Sequence, residues 1–269
     1  MNFFDSEFSF KGPTVKSKSF QWMSTDVSEN YHAYQPNPYT VDDISYDYNS
    51  DGFRCDDFDT AAEQRMVFIG CSFVEGIGLP LHETFCHRIN SSIGQKLGKK
   101  IPYWNLGLSG NGLDAMVRCY SKFREMLKPQ IVIALFPVFR LEHHDGKQWR
   151  SVVPNADRHD ILKNNPYLTT HQYIRYNTQK NLEMLSLMLD KHGTVLLWDA
   201  WDKIVFPLID FSELQGFDNR INQWKVLQQD KDLLEPMARD GKHYGRKFHA
   251  AYADAILDRY QDLIIRSLV

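Results

Sequence analysis

The sequence contains little cysteine: four residues in 269, which are Cys55, Cys71, Cys86 and Cys119. None of them stands in a CxxC pair or at a spacing from histidine that is typical of zinc ligands. This scarcity argues against a disulfide-stapled scaffold and against a zinc finger. In a chain without a secretory leader, the four cysteines are expected to be reduced thiols.

Long apolar runs and an excess of positive charge are also missing. Lys and Arg number 31 against 34 Asp and Glu, which gives a formal net charge of −3. Without a clustered basic face, no nucleic-acid partner is expected. No segment has the length of a membrane span, and residues 1–12 have neither the positive start nor the apolar stretch of a signal peptide. These absences predict a cytoplasmic protein without a membrane span and leave its oligomeric state open.

The composition that is present suits a globular protein of one or two domains, with 43% hydrophobic and 24% charged residues. Residues 1–62 are rich in Asp, Ser, Tyr and Phe and poor in long apolar runs. We therefore expect an irregular N-terminal extension over residues 1–62, packed on a main domain of residues 63–269.

Within the main domain, short apolar runs alternate with stretches of helical spacing. The patterns predict strands at 66–71, 101–106, 130–136, 194–200 and, more weakly, 204–209, and helices at 83–98, 113–127, 170–191 and 245–267. This order predicts an α/β fold with three layers, α/β/α, in which helices cover both faces of a central parallel sheet. Ligands bind beyond the carboxyl ends of such strands, so the chemistry is expected just after residues 71, 106, 136 and 200.

Two segments carry residues suited to nucleophilic catalysis. Ser72 follows the first predicted strand and precedes Gly76 and Gly78, and a tight strand-to-helix turn would expose its hydroxyl. A serine in an ordinary strand-to-helix loop is the alternative. Asp240 and His243 are three residues apart, before the last predicted helix, so one turn can bring the carboxylate to the imidazole Nδ1–H. Alternatively, Asp240 only caps that helix and His243 is exposed.

Taken together, these segments resemble conserved blocks of the SGNH (GDSL-like) hydrolases over about residues 65–268. Gly70-Cys-Ser-Phe73 is similar to the first block, which usually has the sequence Gly-Asp-Ser. Asn105-Leu-Gly-Leu-Ser-Gly110 is similar to the second block, and Asp240-Gly-Lys-His243, followed by Gly245 and His249, is similar to the last.

The resemblance implies a flavodoxin-like SGNH hydrolase fold and a catalytic triad. Ser72 would be the nucleophile, His243 the base and Asp240 the partner of the imidazole. The backbone N–H groups of Ser72 and Gly110 would form an oxyanion hole.

The sequence departs from the family pattern in two places. Cys71 replaces the aspartate before the nucleophile, and we expect Ser72 to attack because Cys71 would point to the other face as the strand ends. The third block, normally Gly-x-Asn-Asp, is replaced by Phe136-Pro-Val-Phe-Arg140. Its asparagine oxyanion donor is therefore absent. Either Arg140 or Asn111 is predicted to substitute for it, or else the site is weakened.

The function implied by the resemblance is hydrolysis of short acyl esters, in particular acetyl esters, by a serine esterase. An acetylated glycan is the first expected substrate and a small lipid ester the second, and neither a metal nor an organic cofactor is required. Two other classes would share these residues. One is an O-acyltransferase with the same triad, and the other is a non-catalytic binding module that keeps the fold with a decayed oxyanion hole.

Three further motifs are weaker candidates. His143-His144-Asp145 suggests a metal site, but adjacent histidines rarely share one ion, and a loop near the cleft is favoured. Trp198, Asp199, Trp201 and Asp202 are candidates for the lining of a sugar-binding pocket, but core and capping roles are favoured. Asn49-Ser-Asp-Gly-Phe-Arg54 resembles a segment ahead of the catalytic domain in some carbohydrate-modifying SGNH proteins. A turn with an anchoring phenylalanine is favoured over a binding role.

Overall fold

The structure is a computed structural model that describes residues 16–137, 141–144, 149–152, 166–201, 209–212 and 214–269. Its strands are β1 (Ser19–Phe20), β2 (Tyr46–Asp47), β3 (Met66–Ile69), β4 (Trp104–Asn105), β5 (Ile131–Phe136), β6 (Leu141–His144), β7 (Trp149–Val152) and β8 (Val195–Ala200). Its helices are α1 (Ser28–Ala33), α2 (Ser72–Glu75), α3 (Phe85–Leu97), α4 (Leu113–Leu127), α5 (His171–Asp190), α6 (Trp224–Leu227), α7 (Lys231–Leu234) and α8 (Arg246–Leu268). Short 3-10 turns cover Val41–Asp43, Leu81–Glu83 and Pro166–Thr169.

A four-stranded parallel sheet lies at the centre of the fold, with the strands in the order β4-β3-β5-β8. Side chains along each strand alternate between two buried cores. Val67 and Ile69 of β3 belong to the core covered by α4 and α5, whereas Met66 and Phe68 belong to the core covered by α3 and α8. Since both faces of the sheet are buried, its strands are almost uniformly apolar. The predicted three-layer α/β/α architecture is confirmed.

The predicted helices agree with the structure to within two residues at each end. Thr84 begins α3 by accepting a hydrogen bond from the N–H of His87, and Gly98 ends it with a left-handed φ of 67°. The first predicted strand stops at Ile69 because the chain turns at residues 70–71 into α2. The predicted strand 101–106 is reduced to Trp104–Asn105.

The weak fifth strand predicted at 204–209 lies largely outside the described residues. At the edge of the sheet beside β8, a different segment pairs with the strand. Arg220 forms a parallel bridge with Trp198, and the N–H of Ile221 donates to the carbonyl of Trp198 at 2.7 Å.

The N-terminal segment, defined here as residues 16–62, packs on the sheet domain through a cluster of buried apolar side chains. The cluster consists of Tyr39, Ile44, Tyr46 and Tyr48 from the segment, and Ile77, Leu79 and Ala238 from the rest of the chain. In the Asn49–Arg54 motif, the Asn49 side chain accepts from the N–H groups of Asp51 and Phe53, and Phe53 is completely buried. The motif therefore forms the predicted turn with its anchoring phenylalanine.

Two further expectations concerned the state of the cysteines and the presence of a membrane span. All four cysteines are free of disulfide bonds. Across the described parts of the chain, no helix combines the length and the apolar character needed to cross a bilayer.

Candidate active site

Ser72 lies at the point where the chain leaves β3 and turns into α2. Cys71 has an extended backbone with φ of −105°, and Gly76 ends the four-residue helix with a left-handed φ of 80°. This tight turn leaves the Ser72 side chain partly exposed beyond the carboxyl end of the strand, whereas Cys71 is only 3% exposed. Ser72 is thus the more accessible of the two neighbouring nucleophile candidates.

His243 connects Ser72 to Asp240 through its two ring nitrogens. Its Nε2 lies 2.7 Å from Ser72 Oγ, and its Nδ1 lies 2.7 Å from Asp240 Oδ2. The other carboxylate oxygen, Asp240 Oδ1, accepts from the N–H groups of Lys242 and His243, both at 3.0 Å. Gly245, not Asp240, precedes the first residue of α8, and His243 is only 9% exposed. The alternative in which Asp240 merely caps the last helix is therefore wrong.

The Asp240 carboxylate is completely buried yet stays ionised. Burial raises the pKa of Asp240, but the hydrogen bond and charge of His243, together with the hydrogen bonds from Thr25 and the His243 N–H, outweigh that effect. The net result is a pKa of about 2. An ionised carboxylate only accepts hydrogen bonds, so His243 Nδ1–H donates to it and Nε2 is free to accept the Ser72 proton.

The loop after β4, residues 106–110, packs against the Ser72 turn. The N–H of Leu108 donates to the carbonyl of Gly70 at 3.2 Å. At Gly107, a Cβ would lie 2.5 Å from the Glu75 nitrogen, so only glycine permits this close approach. The first and second sequence blocks, which are separated by more than 30 residues in the chain, are therefore neighbours in the fold.

A buried carboxylate that the sequence analysis missed ties this loop to α2. Glu75 Oε2 accepts from both the N–H and the Oγ of Ser109, each at 2.6 Å, and Glu75 Oε1 accepts from the Tyr48 hydroxyl at 2.6 Å. Glu75 is 4% exposed. It holds the residue directly before Gly110, the predicted oxyanion donor.

The two predicted substitutes for the missing third-block asparagine differ in how far the structure describes them. Asn111 follows Gly110, and its Nδ2 is buried without an acceptor in the described residues. Arg140 lies outside the described residues, as does Phe139. Glu142, the second residue of β6, pairs with Arg118, whose Nε donates to Glu142 Oε2 at 2.9 Å.

After Pro137, the next described residues belong to a strand. His143 and His144 lie in β6, not in a loop, because β6 pairs with β7 and Glu142 is held by Arg118 and by Asp114. Asp145 lies outside the described residues, and no group of three potential metal ligands occurs where the chain is described.

Trp198 and Asp199 have core and capping roles, as favoured over a sugar-binding site. Trp198 is buried, and Asp199 Oδ2 accepts from the N–H groups of Gln223 and Trp224 at the start of α6. Trp201 is partly buried against Phe73, with ring centroids 5.4 Å apart, and Asp202 lies outside the described residues.

His249, part of the last sequence block, lies away from the triad bonds and stabilises α3. Its Nδ1 accepts from the N–H of Phe85 at 3.1 Å. Burial, followed by the nearby His243 and Arg88, lowers the pKa of His249 to about 3, so the ring is neutral and able to accept. A structural role accounts for this histidine.

Comparisons with known proteins add the following. No protein-family model matches the sequence, and neither does any curated protein. Among solved structures, the chain is similar to TesA (12% identity, TM-score 0.49), with 74% of this chain and 99% of that chain covered. It is also similar to the esterase EstA from a Pseudoalteromonas species (13%, 0.49), with coverages of 74% and 97%. A lipase/acylhydrolase from Enterococcus faecalis (15%, 0.45) matches with coverages of 74% and 96%. At this level of identity, the assignment of function depends on the geometry of this chain's own residues.

Proposed function

We propose that the protein is a serine esterase that hydrolyses short acyl esters through an acyl-enzyme intermediate. The observation that carries the proposal is the continuous chain of hydrogen bonds from Ser72 through His243 to Asp240, with 2.7 Å at each ring nitrogen. A serine hydroxyl is a weak nucleophile at neutral pH, and a neutral imidazole in contact with it removes its proton as attack proceeds. The buried carboxylate holds the required tautomer and stabilises the imidazolium that forms.

In the acylation step, Ser72 Oγ attacks the ester carbonyl carbon while His243 Nε2 accepts the hydroxyl proton. The electron pair of the C=O bond moves onto oxygen and gives a tetrahedral oxyanion. Collapse of this species breaks the bond to the alcohol, which leaves with the proton from His243. Water, deprotonated by His243, then attacks the acyl group and releases the carboxylic acid and free Ser72.

The oxyanion would be stabilised by N–H groups of the Ser72 turn and of the loop beside it. Ser72 is the first residue of α2, where a helical N–H has no partner within the helix. The N–H of Gly110 is the second proposed donor, and the Asn111 amide or the Arg140 guanidinium is the third. Donors fixed in place before the reaction stabilise the transition state without reorganisation.

For the substrate, we propose an acetyl ester on a glycan, with a small lipid ester as the alternative. Aromatic rings adjoin the base: Phe73 lies 5.0 Å from His243 and 5.4 Å from Trp201 and Tyr244, measured between ring centroids. Flat apolar faces that accompany a few polar groups are typical of small-molecule sites.

A chain-length series of p-nitrophenyl esters tests the proposal. We expect kcat/KM to be highest for the acetate and to fall through the butyrate to the octanoate, and acetate to be released from acetylated xylan or mannan. Ser72→Ala should lower kcat by about 10⁴-fold or more. Hydrolysis that survives Ser72→Ala would contradict the proposal. Transfer of acetyl to an added sugar instead of water would indicate an O-acyltransferase with the same triad.

A further inference from the structure

Thr25, in the N-terminal segment, contacts the buried side of the Asp240–His243 pair. Its hydroxyl donates to Asp240 Oδ2 at 2.6 Å, and the two residues are 215 positions apart in the sequence. The same oxygen accepts from His243 Nδ1, and Thr25 Oγ1 lies 3.5 Å from that nitrogen. The hydroxyl therefore acts on the carboxylate oxygen that orients the base.

The Thr25 hydroxyl completes the hydrogen bonding of the carboxylate. Oδ1 receives the two backbone N–H groups of residues 242 and 243, and Oδ2 receives His243 Nδ1–H and the Thr25 hydroxyl. A carboxylate offers about two acceptor sites on each oxygen, so these four donors fill them. With its sites filled, Asp240 has one orientation that satisfies every donor.

Thr25 is itself held in place by a tight turn. The N–H and C=O groups of Met23 and Asp26 bond to each other at 2.9 Å in both directions, and Ser24 between them has a left-handed φ of 57°. Left-handed backbone is uncommon at a residue other than glycine. The side-chain amide of Asn30 donates to the Thr25 carbonyl at 2.5 Å. The turn therefore gives the Thr25 side chain a fixed direction.

A buried ion pair fixes this turn against the loop segment that carries Asp240. Asp26 follows Thr25 and Arg239 precedes Asp240, and both side chains of the pair are 0% exposed. Arg239 Nη2 lies 2.7 Å from Asp26 Oδ2, and Arg239 Nε lies 3.0 Å from Asp26 Oδ1. Two adjacent contacts, Thr25 with Asp240 and Asp26 with Arg239, therefore hold the two segments in a fixed alignment.

We propose that Thr25 is a positioning residue of the active site, so that the N-terminal segment forms part of the catalytic unit and not merely a covering of it. The inference rests on the proposed function, because its consequence for rate requires that His243 act as the base. Among the described residues, the Thr25 side chain has no hydrogen bond to Ser72. It acts through Asp240, by holding the carboxylate in the orientation that accepts from Nδ1 and by partly compensating its negative charge.

Thr25→Val removes the hydroxyl and keeps the shape of the side chain. We expect kcat on p-nitrophenyl acetate to fall by about 10-fold with KM changed by less than about 2-fold, since partners that orient a catalytic group typically matter to this extent. The carboxylate without its hydroxyl donor stabilises the imidazolium more strongly, so the acid limb of kcat/KM should move to higher pH. Thr25→Ser restores the hydroxyl and should restore both kcat and the acid limb.

Thr40→Val is the matched control. Thr40 also lies in the N-terminal segment, directly before the 3-10 turn at Val41–Asp43, where its N–H donates to Asp43 Oδ2 at 2.6 Å. It has no bond to Asp240 or His243 in the described structure. A general effect of replacing a threonine of this segment with valine would appear in both variants, and a loss of fold stability alone would leave the acid limb in place. Equal changes in the two variants, or a Thr25→Val enzyme with wild-type kcat and pH profile, would overturn the inference.

Titration of the His243 ring, followed by NMR, separates this inference from the proposed function. The His243 signal is assigned by its absence from His243→Ala. If wild-type protein hydrolyses no ester but the ring titrates at higher pH in Thr25→Val than in wild type and Thr25→Ser, the contact is established and the esterase proposal fails. An unchanged titration in Thr25→Val overturns the positioning role whether or not the protein is an esterase.

Discussion

At His243, the two ring nitrogens have different partners and therefore different tasks. Nδ1 faces an Asp240 carboxylate whose pKa is about 2, and Nε2 faces the Ser72 hydroxyl at 2.7 Å. Between pH 8 and pH 5, Asp240 stays ionised, because its charge is lost only as the pH falls towards 2. An acid limb of activity in that range would therefore not come from Asp240. Under the proposed mechanism, a protonated imidazole lacks the lone pair that accepts the serine proton.

The first prediction combines pH with substitution of Asp240. Activity on a neutral ester should decline as the pH is lowered from 8 to 5, and Asp240→Asn should lower kcat by about 10³–10⁴-fold at every pH, because an amide NH₂ no longer holds Nδ1 in the protonated tautomer. Stopped-flow or plate-based rates across the pH range provide the measurement. An Asp240→Asn enzyme with unchanged kcat would remove Asp240 from the site.

Asn111 offers the second prediction at this scale. Its buried Nδ2 has no acceptor within the described residues, and a donor in that state is costly unless something accepts from it. If substrate binding exposes this amide to the oxyanion, Asn111→Ala should lower kcat by about 10²-fold with a smaller change in KM, since the contact strengthens in the transition state. Arg140→Ala, measured in parallel, tests the other candidate. If both variants keep near-normal kcat, the hole consists of backbone N–H groups alone.

At the scale of elements, the site lies where a turn and a loop, which follow two neighbouring parallel strands, pack against each other. β3 leads into the Ser72 turn, and β4 leads into the loop that carries Gly110. Glu75 joins them, because its carboxylate belongs to α2 and its acceptors bind Ser109. This buried side chain therefore helps to set the distance between Ser72 and Gly110, the proposed oxyanion donor.

Substitution of Glu75 gives the third prediction. In Glu75→Gln, an NH₂ group replaces one of the two acceptor oxygens. The variant can therefore no longer accept from Ser109 with one oxygen and from Tyr48 with the other. We expect kcat to fall by about 10-fold while the protein remains folded, which circular dichroism and steady-state kinetics would show together. Glu83→Gln is a matched control, because Glu83 also accepts from a tyrosine hydroxyl, that of Tyr39, but does not contact the 106–110 loop. Equal kinetic losses in the two variants would contradict the role of Glu75.

At the scale of the whole molecule, a buried ion pair between Asp26 and Arg239 joins the N-terminal segment to the sheet domain. Arg239 donates to Asp26, to the carbonyl of Gln21 and to that of Val41, all in the segment. Its guanidinium also lies 4.4 Å from the centroid of the Trp22 ring. Removal of one member of such a pair leaves the other charged, buried and unpaired.

The fourth prediction follows from that burial. Arg239→Met should lower the free energy of unfolding by about 3–5 kcal/mol, because Asp26 would lose its partner inside the protein. Lys191→Met breaks the exposed pair with Glu125, whose side chains are 57% and 49% exposed, and should lower the free energy of unfolding far less than Arg239→Met does. Urea unfolding monitored by tryptophan fluorescence compares them. A loss below about 1 kcal/mol for Arg239→Met would show that the ion pair contributes little to the attachment of the segment.

Sequence patterns predicted those features that depend on neighbours in the chain. The bounds of α4, 113–127, are as predicted, because its apolar spacing and the stop before Pro129 are local signals. The relation of Asp240 to His243 was accessible for the same reason, since one turn joins them. Thr25 and Glu75 were missed, because they bind groups between 27 and 215 residues away and neither stands in a recognisable motif.

The predicted loop around His143 failed for a related reason. A strand that pairs only with its own hairpin partner has a weak pattern, and β6 is held to α4 by two polar contacts of Glu142 that no periodicity reports. The conformation of such a segment depends on tertiary contacts of a few side chains, and the sequence pattern of the segment does not report these contacts.

The most direct test of the account is covalent labelling by a fluorophosphonate, which reacts with a serine that an adjacent base activates. We predict that the wild-type protein is labelled at Ser72, identified by peptide mass spectrometry, and that Cys71→Ala is labelled equally. Ser72→Ala should not be labelled, and His243→Ala should react at least about 10³-fold more slowly. A folded wild-type protein that fails to react, or a label found on Cys71, would contradict the claim that Ser72, His243 and Asp240 form a working nucleophilic triad.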